Sequence, residues 1–218
     1  MYNFRKLLYL IVFTWFGVAN AGSYEDFFQA VKVDDVRTVN NLLARGFDPN
    51  SVDPNGQFGL IWAMKTSSFK VVEVLIGNPA TNVEVRSPQD ESALMFAALR
   101  GNMDLCKKLI ARDADVNKPG WAPLHYAATG AHLDVMRLLL DNAAYIDAES
   151  PNGSTPLMMA AMYGNAAAVK LLLDAGADPL LKNSLGLTAV DFALKAERKD
   201  AAELIAAAIR ATKPQGSW

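Results

Sequence analysis

Cysteine and histidine are scarce in this sequence, and their scarcity excludes several kinds of site. The 218 residues hold one cysteine and two histidines. A single cysteine excludes an internal disulfide and a cysteine-based zinc centre, because each needs more than one thiol. Two histidines leave little for a metal centre or for catalysis that depends on imidazole. We therefore predict no metal, no cofactor and no catalytic residues.

The sequence also lacks an excess of charge of one sign. Its 21 lysines and arginines nearly balance 23 aspartates and glutamates, which gives a formal net charge of −2. A nucleic-acid binder needs clustered positive charge to contact phosphates, so nucleic acid is excluded as a partner. A phosphate-binding glycine loop, a Gly-x-Ser-x-Gly nucleophile motif and zinc-ligand spacings are absent as well. The sequence thus predicts a protein that is not an enzyme.

The apolar run at the N terminus is too short for an ordinary membrane span. Leu7 to Val18 is an uncharged, mostly apolar run of 12 residues, whereas a transmembrane helix needs about 20. Arg5 and Lys6 precede it, and Ala19-Asn20-Ala21 fits a small-x-small cleavage site. We predict that residues 1–21 are a signal peptide cleaved after Ala21. The alternatives are an uncleaved membrane anchor or a buried helix.

Removal of this leader changes the charge of the mature chain. The leader carries two basic residues and no acidic ones, so its loss moves the net charge from −2 to −4. The mature protein is therefore predicted to be mildly acidic.

The rest of the chain repeats with a period near 33 residues. One motif is clearest at 42–50, 109–117 and 172–180, with further copies at 139–147 and 75–82. A second motif runs in phase with it and is clearest at 121–128 and 154–161. Equivalent apolar residues are 30 to 34 positions apart: Leu43, Ile76, Ile110, Leu140 and Leu173 in the first motif, and Leu60, Leu94, Leu124, Leu157 and Val190 in the second.

These motifs resemble the ankyrin repeat, whose units read Thr-Pro-Leu-His-x-Ala-Ala and end in Gly-Ala-Asp. The resemblance covers roughly residues 24–210. It implies an all-α fold, an ankyrin-repeat α-solenoid of six helix–turn–helix units joined by short β-turn fingers. Helix pairs are expected near 24–45, 58–77, 91–112, 122–142, 155–175 and 188–210.

The repeat register also defines domain boundaries. We predict one ankyrin-repeat domain over 22–212, followed by a disordered tail at 213–218. The second repeat lacks the Pro and His of the motif, so its local stability should be low. The finger at 117–121 is three residues shorter than the others. The predicted units are 24–53, 54–86, 87–117, 118–149, 150–182 and 183–210.

Three residues have both a structural and a functional interpretation. His125 occupies the His position of the motif, where the resemblance implies hydrogen bonds to neighbouring loop backbone; a metal pair with His132 is the alternative. Cys106 is predicted to be buried and inert, with an intermolecular disulfide as the alternative. Asn152 is predicted to form a finger turn, although Asn152-Gly-Ser also matches a glycosylation acceptor.

The resemblance further implies a binding surface on the fingers and on the exposed sides of the first helices. Trp, Tyr and Arg dominate the energetics of protein interfaces, and an exposed apolar patch marks a contact site. The alternative is that Trp121 and Leu187 fold down over a neighbouring finger. The predicted protein-binding patch consists of Leu99, Arg100, Trp121, Met162, Tyr163, Leu185 and Leu187.

These observations favour a non-catalytic, monomeric module that is exported to the bacterial periplasm, binds a partner protein and makes no membrane contact after cleavage. The chain resembles small exported bacterial ankyrin proteins, which implies a supporting role for a periplasmic catalase in peroxide resistance. An immunity protein that neutralises a periplasm-delivered toxin is a second hypothesis. A membrane-tethered scaffold with an uncleaved N-terminal helix and a secreted effector remain as further alternatives.

Overall fold

The computed structural model describes residues 22–212, which form two compact units, one ending at Asp90 and the other beginning at Glu91. Within this range the regular structure consists of helices joined by turns, and an isolated bridge joins Val52 and Phe58 in the first unit. The predicted signal peptide, residues 1–21, and the predicted disordered tail, residues 213–218, lie outside the described residues.

The first unit contains two helix pairs. Asp35 begins the second helix, because its carboxylate accepts hydrogen bonds from the backbone N–H groups of Arg37 and Thr38. Such a cap satisfies donors that have no intrahelical partner. The helices are α1 (22–32), α2 (Val36–Ala44), α3 (Gly59–Thr66) and α4 (Phe69–Gly77).

Side-chain packing in the first compact unit explains one departure from the repeat motif. Gly59 stands where the motif has proline, and a Cβ atom at this position would lie 2.5 Å from the ring of Phe27. Phe27 is fully buried and packs against the rings of Phe28 and Phe47, with ring centroids 5.2 and 4.6 Å away. The aromatic cluster thus occupies the space that a larger residue at position 59 would need.

The second unit contains four helix pairs at the positions that the repeat register predicted. Pro156 lies in the first turn of its helix, as expected, and the Thr155 hydroxyl before it caps the backbone N–H of Met158. The helices are α5 (Ala93–Leu99), α6 (Met103–Ile110), α7 (Pro123–Thr129), α8 (Leu133–Asp141), α9 (Pro156–Met162), α10 (Ala166–Asp174), α11 (Ala189–Lys195) and α12 (Lys199–Thr212).

The core of the second unit lies between its first and second helices. The first helices α5, α7, α9 and α11 pack side by side in chain order, and each second helix packs on the first helix of its own pair. The repeated leucines, such as Leu94, Leu109, Leu124 and Leu139, are almost completely buried. Burial of each such side chain contributes about 1.5–3 kcal/mol, and the small alanines of the motif allow this close helix packing.

The fingers are tight turns held by short polar side chains. At 150–154 the Ser150 hydroxyl accepts from the N–H of Ser154, and Gly153 takes a φ of +73° that favours glycine. The Asn152 side chain accepts from the Ser150 hydroxyl at 2.6 Å, in keeping with its predicted turn role. At the next finger the Asn183 side chain accepts from the N–H groups of Leu185 and Leu187.

Candidate functional site

An open apolar groove lies on the second unit, where α5, α7 and α9 run side by side. Its volume is about 270 Å³. The groove combines the C-terminal ends of first helices with one finger residue, Trp121, and so lies on the kind of surface that the sequence predicted for binding. The lining residues are Leu99, Trp121, His125, Tyr126, Thr129, Met159 and Tyr163.

Trp121 forms one wall of the groove and is half-buried. Its indole ring meets His125 edge-on, with centroids 5.2 Å apart and an interplanar angle of 77°. It meets Tyr126 in the same way at 6.4 Å and 78°. Edge-to-face packing of this kind is favourable. The indole is therefore packed against two side chains of the following helix, α7.

His125 lies beneath the groove and acts as a structural residue. The Ala122 N–H donates to Nδ1 at 3.1 Å, so Nε2 carries the proton of the neutral ring and donates to the carbonyl of Ser154 at 3.0 Å. The side chain is fully buried. Burial lowers the pKa of this imidazole, because a charged ring loses hydration there. The backbone role that the resemblance implied for His125 is confirmed.

His132 contacts the C-terminal end of α5, next to the groove. Its Nε2 atom lies 2.9 Å from the carbonyl oxygen of Leu99. The imidazole fits only because two glycines flank it: a Cβ atom on Gly101 or on Gly130 would lie 2.3 or 2.4 Å from ring atoms. His132 thus makes a backbone contact separate from that of His125. Within residues 22–212, no three side chains of His, Cys, Asp or Glu cluster as a metal site would require.

Three of the seven predicted binding residues are brought together by the groove. Trp121, Leu99 and Tyr163 line it, and the last two are 36% and 55% exposed. Arg100 follows Leu99 at the end of α5, and its guanidinium lies over the Phe96 ring, 5.8 Å from the centroid. The groove therefore contains part of the predicted patch.

The other predicted residues lie outside the groove lining. Met162 is half-buried, and its backbone carbonyl accepts from Arg198 Nε at 3.1 Å. Leu187 is half-buried in the finger that Asn183 stabilises. Leu185, in the same finger, is 76% exposed. These leucines extend the apolar surface of the second unit but do not form the groove.

Four groove residues were absent from the predicted patch: His125, Tyr126, Thr129 and Met159. Tyr126 and Met159 occupy the variable position of the motif, between its His or Met and its Ala-Ala pair. The signal for them was present, since variable positions of a repeat are those that its packing leaves unconstrained. At this position Met159 is buried, as is Phe96 in α5, whereas Tyr126 is half-buried, so exposure at this position depends on the neighbouring helices.

The cysteine is a core residue. Cys106 is fully buried in α6, and burial raises the pKa of its thiol to about 12. The thiolate is the reactive form, so a raised pKa disfavours reaction at neutral pH. The prediction that the thiol is buried is confirmed.

None of the helices between residues 22 and 212 has both the length and the apolar character that crossing a bilayer requires.

Family models match most of the described chain. A three-copy ankyrin-repeat model matches residues 27–118 and 70–150, and a many-copy ankyrin-repeat model matches residues 143–193. The predicted fold class, all-α ankyrin repeat, is confirmed by these matches and by the helix pairs. No enzyme family is indicated.

Solved structures include similar bacterial proteins. One is the complex of a predatory endopeptidase from Bdellovibrio bacteriovorus with an immunity protein; a chain of this complex matches with 28% identity and a TM-score of 0.72, and the match covers 84% of this chain and 97% of that chain. Another is an ankyrin repeat domain from Acinetobacter baumannii, with 23% identity, a TM-score of 0.70, and coverage of 84% and 96%. The second similarity concerns the fold alone.

The similar curated proteins are much longer than this chain. The tyrosine-protein kinase Shark of Drosophila melanogaster is 33% identical over 159 residues, which are 71% of this chain and 17% of the kinase. The mouse B-cell lymphoma 3 protein homolog is 30% identical over 152 residues, which are 66% of this chain and 34% of that protein. The chain therefore spans about a third or less of the length of these relatives.

Proposed function

This chain belongs to the ankyrin-repeat family, and we propose that it is a non-catalytic module that binds a partner protein through the groove of its second unit. Ankyrin repeats mediate protein–protein interaction, and the function follows from that general property. The groove supports the proposed binding surface, and the N-terminal sequence supports the proposed cellular location.

The observation that carries this proposal is the partly exposed aromatic lining of the groove. Trp121, Tyr126 and Tyr163 come together there with the apolar side chains of Leu99 and Met159. Tryptophan and tyrosine are enriched among the residues that contribute most to binding energy. A soluble chain gains nothing by leaving such side chains in water, so an exposed cluster of them favours a contact site.

The proposed location is the bacterial periplasm. The support is the N-terminal sequence alone: Arg5 and Lys6, the apolar run that follows, and the Ala19-Asn20-Ala21 site. Mass spectrometry of the protein recovered from its own cell envelope should find Gly22 as the first residue. A protein that retains Met1 would contradict soluble export and favour the tethered scaffold.

One structural relative favours a second candidate, an immunity protein that neutralises a periplasm-delivered toxin. The complex of the Bdellovibrio endopeptidase with an immunity protein contains a chain that matches 84% of this one at 28% identity. An immunity role would be a specialised form of the same binding function. It predicts that the captured partner is a toxic enzyme, such as a peptidase, and that binding inhibits it.

The experiment is capture of a partner on the immobilised mature chain from periplasmic extract, with two matched variants. Tyr163→Ala removes an aromatic ring from the groove, whereas Tyr145→Ala removes an even more exposed ring from the loop after α8. The wild type and Tyr145→Ala should retain the same protein, and Tyr163→Ala should lose it. Equal retention by all three would contradict binding through the groove.

A further inference from the structure

The size of the groove restricts what it can hold. At about 270 Å³ it falls just below the usual range of small-molecule pockets, roughly 300–1,000 Å³, and it is open to solvent. A free small molecule would remain largely uncovered in it. One large side chain, presented by the surface of another protein that closes the opening, would be buried on all sides.

The lining restricts the chemistry of that side chain. Trp121 and Tyr126 present ring edges and faces, and Met159 contributes a polarizable thioether from the floor. Aromatic rings gain from edge-to-face contacts beyond their burial, and methionine sulfur packs well on ring edges. A phenylalanine, tyrosine or tryptophan side chain therefore matches this lining better than a polar one.

Positively charged side chains lie next to the groove. Arg100 follows Leu99, and Lys118 Nζ lies 3.4 Å from the carbonyl oxygen of Trp121. Arg198 donates from Nη2 to the carbonyl of Tyr163 at 3.2 Å.

Lys118 and Arg198 thus bond to the backbone of two groove residues, although the whole chain has a net charge of −2. Arg198 has five N–H donors, and its bonds to the carbonyls of Met162 and Tyr163 use two of them. These cations suit an acidic partner, because complementary charges steer encounter and fix orientation.

From these features we propose that the groove receives an aromatic side chain from an acidic segment of the partner protein, with a partner carboxylate pairing with the cations beside Trp121 and Tyr163. This inference rests on the proposed function, since it specifies the chemistry of the same binding site. The aromatic ring contributes the buried contact, and the carboxylate contributes orientation and rate of association.

The test is selection of short displayed peptides from a random library on the immobilised chain, followed by titration of the enriched peptides against variants. Peptides that combine an aromatic residue with neighbouring Asp or Glu should be enriched. Tyr163→Ala should weaken their binding at least tenfold, and Tyr145→Ala should leave it unchanged. Lys118→Glu should weaken binding severalfold and reduce its salt dependence, whereas Lys107→Glu, on exposed α6 surface, should have little effect.

Several results would overturn this inference while leaving the proposed function intact. Enriched peptides that are basic or lack aromatic residues would refute the stated chemistry, and so would failure to enrich any peptide. Binding that is insensitive to Tyr163→Ala would place the site elsewhere. Self-association of the free chain that Tyr163→Ala abolishes would identify the occupant as a second copy. Capture of a natural partner is a separate measurement, and its failure would instead contradict the proposed function.

Discussion

One finger position holds an aspartate where the neighbouring repeat holds an asparagine. Replacing this aspartate by asparagine should stabilise the protein. Asn117 makes two hydrogen bonds to the next repeat: its Nδ2 donates to the carbonyl of Ala143 at 2.7 Å, and its Oδ1 accepts from the N–H of Tyr145 at 2.7 Å. In the first unit, Asn50 bonds in the same way to Ala80 and Asn82. An asparagine thus satisfies a donor and an acceptor together.

Asp147 occupies the equivalent place one repeat later. Its carboxylate accepts from the N–H of Asp178 at 3.1 and 3.3 Å, but an ionised carboxylate has no proton to donate. The carbonyl of Gly176, which corresponds to that of Ala143, therefore receives no bond from it. Burial, followed by the negative charge of Asp178, raises the pKa of Asp147, and the Asp178 N–H bond acts in the opposite direction.

Asp147→Asn adds one hydrogen bond and removes a disfavoured charge. A net hydrogen bond contributes about 0.5–1.5 kcal/mol, so the free energy of unfolding at neutral pH should rise by about 1 kcal/mol. For a chain of this size, Tm should rise by about 2–4 °C. Differential scanning calorimetry measures this shift. The reverse change at the matched position, Asn117→Asp, should lower Tm by a similar amount.

The pH dependence provides a sharper test of the same reasoning. Because the folded-state pKa of Asp147 is raised, the folded protein binds this proton more tightly than the unfolded chain. Stability is therefore lost as pH rises from the unfolded value, about 3.9, through the folded value. The advantage of Asp147→Asn should be largest at neutral pH and shrink in acid. No gain at neutral pH, or a gain that is the same in acid, would refute the account.

Three further predictions concern the packing beneath the groove. Gly130→Ala should lower the free energy of unfolding by about 1–3 kcal/mol in chemical denaturation, because the new methyl group meets the His132 ring. Gly77→Ala, at a position with open space around it, should be neutral or slightly stabilising. Equal effects of the two substitutions would contradict this packing. Since burial lowers the folded-state pKa of His125, stability should fall as pH drops below about 6.5. In acid titrations of unfolding, the His125→Gln variant should lose this pH dependence. An unchanged profile would argue against a contribution from His125. Cys106 should react with a thiol reagent only at the rate of unfolding, and fast labelling of the native chain would show that it is accessible.

The fold was predictable from the sequence because two motifs kept one register. Leu94 and Leu124 lie in the core since each repeats a position that must face the neighbouring helices. The departures needed the structure. Gly59 replaces proline because Phe27, more than 30 residues earlier, occupies the space beside it, and no local pattern encodes that contact.

The candidate site was predictable only in part. Leu99, Trp121 and Tyr163 were found because their offsets from the motif place them at the exposed ends of first helices and on a finger. Tyr126 was missed because exposure at its motif position varies with the neighbouring helices. Leu185 was included because it lies in the next finger, but the repeat order alone does not give the distance from a finger to the groove.

The central claim is that a partner protein binds through the groove of the second unit. Isothermal titration of the captured partner into wild-type protein, Tyr163→Ala and Tyr145→Ala tests it most directly. The account predicts that Tyr163→Ala raises Kd about 30-fold, which corresponds to about 2 kcal/mol, while Tyr145→Ala, with its 69% exposed ring, leaves Kd unchanged. Equal Kd values for all three proteins would contradict the account.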